Sequence, residues 1–242
     1  MTQQRPTPPV PQSRSRLSGT LVLLAGTPDD HSSIESQLVT IAKLSAQRVE
    51  PVSYASVTTR RGNAYTTVAA SNDIALAVDE AQYADRTGPC LDALETAKPY
   101  GVADIAETMR WPGFRDTAYR LGLHTSLSIP LFAGRGEPVA ALNLYGHDSI
   151  AMTVLTSAVW ATYDEAAPGL SDHPGLDPGG DELVDGLSDA FAVRAIIQQA
   201  IGIIVATDHG TRDLAYATLR LRAADTGSPL PIVAQAVITD RR

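Results

Sequence analysis

Few residues in this chain have the type and spacing to do chemistry. Cys90 is its single cysteine. The run Thr87-Gly88-Pro89-Cys90-Leu91-Asp92-Ala93-Leu94 sets Gly before a Pro in an expected first helical turn. The helix dipole lowers the pKa of a thiol placed there, so redox or nitric-oxide sensing is one reading. A small buried packing residue is the other. Tyr83, Cys90, Trp111, Phe114 and Tyr145 could line a ligand pocket, since such sites are mostly apolar and aromatic. They could equally be ordinary core or lid residues. No phosphate-binding glycine loop, G-x-S-x-G, HExxH or close Cys–His pattern is present, and the five histidines are scattered singly. The sequence therefore reads as a non-enzyme, with no cofactor and no metal expected.

Charge and length narrow the classes further. A net charge of -8 over 242 residues speaks against indiscriminate nucleic-acid binding and against an anionic membrane surface. It leaves room for a local basic patch. One cysteine excludes an internal disulfide framework and a cysteine-based zinc site, and fits a reducing cytoplasm. Arg14 and Arg16 precede a short apolar run from Leu17 to Gly26, but Ser18, Gly19 and Thr20 interrupt it and no A-x-A site follows. No stretch was found to approach the ~20 apolar residues of a membrane span. A cytoplasmic protein with no membrane partner is the expectation.

The elements that must position these residues fall into two groups. Residues 1–14, rich in Pro, Gln, Thr and Arg, read as a disordered tail. Leu17 to Ala25 could be helix or strand. Ile34, Leu38, Ile41, Ala42 and Leu44 recur at helical spacing, and Pro51 ends that helix. Val52–Arg60 and Ala64–Ala70 predict a hairpin across Arg61-Gly62-Asn63. Helices are expected over 73–83, from 89, and from 112 to 121. Strands are expected at 100–104, 125–132 and 138–145, and a closing helix over 150–166. This order predicts an antiparallel sheet with helices on one face.

Residues 168–180, with three prolines and four glycines, predict a flexible linker. Such a linker favours mutual occlusion or dimer rearrangement over mechanical coupling between domains. Beyond it, Leu183, Leu187, Phe191, Ile197, Ile201 and Ile204 mark a helix too apolar to stand alone in water. Thr211 is a natural N-cap for a second helix through Ala223, and Leu230, Val233, Ala234 and Val237 give a third.

Two resemblances follow from these residues. Arg194, Ile197, Gln199-Ala200, Gly202-Ile203, Ala215-Tyr216, Leu219-Arg220, Ala223, Leu230 and Val233-Ala234 resemble the ANTAR domain, a three-helix RNA-binding module of bacterial antitermination regulators. Gly88 through Leu94, Arg110-Trp111-Pro112-x-Phe114, Ser126 through Leu131 and Ala141 through Tyr145 resemble a GAF domain, of the kind found ahead of ANTAR in actinobacterial regulators. Val22-Leu23-Leu24 followed by Asp29-Asp30 only weakly resembles a phospho-receiver, because the acids come too late after the strand.

The resemblances imply an α+β fold. Its parts are a tail (1–14), a GAF-like sensor (15–167) with an antiparallel sheet and packed helices, a linker (168–180) and a three-helix ANTAR bundle (181–242). They also imply a signal-responsive antitermination regulator that acts as a homodimer and holds RNA hairpin loops in the nascent transcript. A small-molecule ligand for the sensor is left open. Arg194, Gln198, Tyr216, Arg220 and Arg222 are the implied RNA contacts. Arg220 and Arg222 leave their helix about 200° apart, at roughly 100° per residue, and cannot share one phosphate track. Tyr216 could stack on a base or pack between helices.

The chain also departs from the ANTAR pattern. Ile201 stands where family members usually carry Lys, and basic residues are missing around Gly227 to Pro231. The only lysines are Lys43 and Lys98, and residues 181–242 hold six arginines against eight acids. A degenerate ANTAR serving as a dimerisation or protein-interaction module is the alternative.

Overall fold

The computed structural model describes residues 16–163 and 175–240. The expected tail over 1–14 and the linker residues 168–174 lie outside that description. Five strands, β1 (Tyr54–Arg61), β2 (Ala64–Ala70), β3 (Tyr100–Val102), β4 (Thr125–Phe132) and β5 (Pro138–Gly146), form one antiparallel sheet in the order β2-β1-β5-β4-β3. Successive residues of a strand point to opposite faces, so each strand divides its side chains by parity. Val57, Leu127, Ile129, Leu142 and Leu144 share a core with α2 (Ser33–Arg48) and α6 (Ser149–Thr162). Ser56, Thr58, Ser128, Asn143 and Tyr145 look the other way, toward α3 (Asp73–Asp85), α4 (Pro89–Thr96) and α5 (Pro112–Arg120).

Helices thus cover both faces of the sheet, where one covered face was expected. β4 is buried along its whole length, which only a sheet covered on both sides allows. The open segment Leu17 to Ala25 is helical, within α1 (Arg16–Gly26). Leu17, Leu21 and Leu24 fall on one stripe of α1 and are all buried.

The C-terminal part is α7 (Pro178–Asp208), α8 (Arg212–Thr226) and α9 (Leu230–Thr239). Thr211 caps α8 as expected, accepting the Leu214 N–H at 3.2 Å. Residues 178–180, expected as irregular linker, are the first turn of α7. Asp177 accepts the N–H groups of Gly179 and Gly180 at 2.9 and 3.2 Å, and Pro178 sits where no N–H is needed. Gly179 lets the Arg48 carbonyl approach where a Cβ would collide with it.

α7 is 31 residues long, about 46 Å at 1.5 Å per residue, and it belongs to two cores. Leu183, Val184 and Leu187, inside the expected output domain, pack with Leu17, Leu21 and Leu24 in the sensor core. A Cβ on Gly186 would lie 2.7 Å from Ser18 Cα, so α1 and α7 meet backbone to backbone. Glu182 accepts the Leu17 N–H at 2.5 Å and pairs with Arg48 at 2.8 Å. Further along, Ile197, Ala200, Ile201 and Ile204 fill the bundle core against Leu219, Leu230 and Ala234. By length and composition α7 is apolar enough to cross a membrane, contrary to the expectation that no stretch would qualify. Its apolar stripes are shared between the two cores.

Leu183→Ala tests this shared helix. Both tryptophans, Trp111 and Trp160, lie in the sensor, so their fluorescence follows sensor unfolding. Removing the fully buried Leu183 side chain is expected to lower the unfolding free energy seen by that signal by about 2–5 kcal/mol in urea titration.

Candidate functional site

Four of the five implied RNA contacts, Arg194, Gln198, Tyr216 and Arg220, lie against two loops of the sensor. One loop, residues 27–31, joins α1 to α2. The other, Ala133-Gly134-Arg135-Gly136, turns β4 into β5. Both glycines of the turn have positive φ, +28° and +89°. A Cβ on Gly136 would run into Gln198, and one on Gly134 would run into the Tyr216 hydroxyl. The turn can therefore lie flat on α7 and α8 only with glycine at both places.

Arg194 donates from Nε to the Gly136 carbonyl at 3.0 Å, with its guanidinium 4.1 Å above the Phe132 ring. Gln198 donates to the Arg135 carbonyl at 2.5 Å and accepts from Arg212. Tyr216 is 2% exposed and packs in the bundle core. Its hydroxyl donates to Asp29 Oδ1 at 3.0 Å and accepts the Asp29 N–H at 3.3 Å. Arg220 meets Asp30 at 2.6 Å. Arg135 lies between two acids, 3.4 Å from Asp29 and 3.3 Å from Asp213. Arg222 is exposed on the far side of α8, as the angular separation from Arg220 requires. Ile201 is 1% exposed and faces the bundle core, so a Lys there would bury a charge rather than extend a basic surface.

Asp29, Asp30, Arg135 and the two glycines supply the sensor's side of these contacts. In the sequence Asp29-Asp30 reads as part of a helix entry and as a weak likeness to a receiver. Nothing local in the sequence couples residue 29 to residue 216.

A second group of candidates meets on the polar face of the sheet. Tyr83, Cys90 and Tyr145 surround Asp79, which is fully buried and was not anticipated. Tyr145 donates to Asp79 at 2.6 Å, Thr67 at 2.8 Å and Asn143 at 3.1 Å. Tyr83 bonds Thr58 and Thr67, each at 2.7 Å. Gln82 spans the group, donating to the Tyr145 hydroxyl at 3.3 Å and accepting the Cys90 N–H at 3.0 Å. Trp111 and Phe114 lie in the adjoining apolar cluster with Ile105 and Tyr145, and Trp111 donates to Asp92 at 3.2 Å.

Among the described residues the hydrogen-bond partners of Asp79 are all neutral. Burial pushes its carboxyl up to about 6, against the pull of hydrogen bonds from Tyr145, Ser56, Thr67 and Asn143. Burial, with Asp79 adding to it, likewise pushes the Cys90 thiol up to about 12. Cys90 is fully enclosed, and a thiol held protonated is a poor nucleophile. Here desolvation outweighs the helix dipole. The signal that would have found Asp79 is its spacing, because Ala75, Val78, Asp79 and Gln82 form one buried stripe of α3.

Two family models match the chain, GAF domain over residues 32–156 and ANTAR domain over residues 185–238. No match was found among curated proteins.

A pH series tests the carboxyl. Folding raises the Asp79 pKa above its ordinary 3.8, so its contribution is fully present below 3.8 and is lost as pH rises through about 6. The Asp79 contribution to the unfolding free energy is expected to fall by roughly 2 kcal/mol between pH 4 and pH 7, with one pH unit equivalent to about 1.36 kcal/mol at the steepest part. Asp79→Asn, which keeps the acceptor for Tyr145, is expected to flatten that slope in denaturant titrations.

Proposed function

Because the chain belongs to the GAF-domain family and carries an ANTAR domain behind it, we propose that it is a signal-responsive, RNA-binding antitermination regulator whose sensor covers the RNA-binding face. The observation that carries this reading is the engagement of Arg194, Gln198, Tyr216 and Arg220 by the sensor loops 27–31 and 133–136. An RNA phosphate would compete with Asp30 for Arg220 and with the Gly136 carbonyl for Arg194. The signal acts by loosening those contacts. α7, anchored in the sensor core through Leu183 and Leu187, keeps the output tethered while its RNA side opens.

The masking contacts are individually weak. The Arg220–Asp30 pair is half exposed, and such pairs contribute about 0–1 kcal/mol. The Tyr216–Asp29 hydrogen bond, to a charged acceptor, adds roughly 1.5–3 kcal/mol. A lock of this size is one that a small ligand can shift. The uncovered surface would carry Arg194, Arg212 and Arg220, and roughly three phosphate contacts imply a shallow salt slope of about -2 on single strands.

The protein acts in the cytoplasm, where nascent transcripts are made, and as a homodimer. The outer face of α7 supports the dimer. Ser188, Ala192, Ala195, Gln199, Gly202 and Ala206 are exposed at alternating spacings of four and three, flanked by half-buried Ile196 and Ile203. Nothing lies within 4 Å of a Cβ built on Gly202, so a second helix could approach closely there.

Asp29→Asn with Asp30→Asn is the test of masking. By fluorescence anisotropy on an RNA with two hexaloop hairpins, the double variant is expected to bind about tenfold tighter than the parent, as for ~1.4 kcal/mol of released contact. Equal affinity would remove the occlusion. Loss of any preference over a loop-scrambled RNA, in both proteins, would make the output a protein-interaction module. Separately, Ala195→Glu on the outer face of α7 is expected to shift sedimentation from dimer to monomer without lowering helicity.

A further inference from the structure

A cleft of about 1060 Å³ lies where α1 and the 27–31 loop of the sensor meet α8 and α9 of the output. Its volume is that of a small-molecule site, and such sites favour the seam between domains. It meets the implied RNA face only at its edge, where Arg220 pairs with Asp30, and the Asp79 cluster does not reach it. Its walls are mostly aliphatic. Leu23, Leu221 and Ile232 come from three different helices, are 62%, 65% and 62% exposed, and all open onto this one space. Pro231 closes against Gly26, where a Cβ would lie 2.9 Å from its ring, so the sensor and output walls are in contact at the floor.

We infer that this cleft binds a small amphipathic carboxylate, with its apolar body on Leu23, Leu221 and Ile232 and its carboxylate on Arg220. The charge pattern selects this occupant. Arg220 rises from α8 among the lining residues Ala217, Leu221 and Ala224, and its planar fork suits a carboxylate. Its present partner is the carboxylate of Asp30, at 2.6 Å, and that side chain is 61% exposed. A ligand carboxylate would replace one carboxylate by another, at the edge of an apolar space and at small cost. The exchange breaks a contact that joins sensor to output. The site stands on its own geometry; only its role as the input signal rests on the masking described above.

The full-length chain titrated with sodium decanoate below its micelle concentration, followed by isothermal titration calorimetry, tests the site without RNA. One saturable site per chain is expected, at least tenfold weaker for the uncharged control 1-decanol. Leu221→Gln with Ile232→Gln, both exposed positions, is expected to weaken decanoate at least tenfold while the circular dichroism spectrum stays unchanged. Arg220→Gln is expected to abolish the preference for decanoate over decanol. No saturable heat, or binding that none of these variants alters, overturns the proposal. So does a parent dimer that Leu221→Gln with Ile232→Gln dissociates, since the cleft would then be filled by a second copy. A chain that binds decanoate but no hairpin RNA keeps the site and removes the RNA reading instead.

Discussion

Everything in this molecule depends on α7 burying its two halves in two different cores. Its first turns are fixed three ways, by Leu183 and Leu187 in the sensor core, by Gly186 pressed on α1, and by Glu182 bonding α1 and pairing with Arg48. Its later turns carry the bundle through Ile197, Ala200, Ile201 and Ile204. A helix packed at both ends transmits position as a rigid element. The output helices α8 and α9 are therefore held at a set distance from the sensor, and the loops 27–31 and 133–136 reach them because that distance is set.

The two contacts between sensor and output differ in kind. Along the first half of α7 the contact is apolar, close-packed and built into the core. Along the second half of α7 and on α8 it is made mainly of single hydrogen bonds and ion pairs to Arg194, Gln198, Tyr216 and Arg220, several of them solvated, with Pro231 packed on Gly26 beside them. Aqueous ions and ligands compete for bonds of the second kind and not for packing of the first. The proposed unmasking would need this division, since the output would open without coming apart. The 1060 Å³ cleft sits on the solvated side of it, beside the Arg220–Asp30 pair.

The sensor's polar sheet face is unlike a ready ligand cavity. Asp79, Asn143, Tyr145, Tyr83 and Gln82 satisfy one another across β1, β5, α3 and α4. A network so connected orders the centre of the domain, and its one carboxyl carries the cost of burial as a raised pKa. Cys90 belongs to that interior. Its chemistry is suppressed by the same desolvation.

The sequence by itself determined the two-domain family assignment, the α+β class, the strand and helix order beyond the open segment Leu17 to Ala25, and the cap at Thr211. These rest on local periods and turn residues, which a chain displays in consecutive positions. It also separated Arg220 from Arg222 by angle alone. Only the tertiary structure decided that helices cover both sheet faces, that Leu17 to Ala25 packs as a helix on α7, and that Ile201 points into a core. The same holds for Tyr216 meeting Asp29, 187 positions away, and for Asp79 standing among hydroxyls from other elements. Burial and pairing at such separations depend on which surfaces the assembled elements present to each other, and spacing along one element carries no record of that.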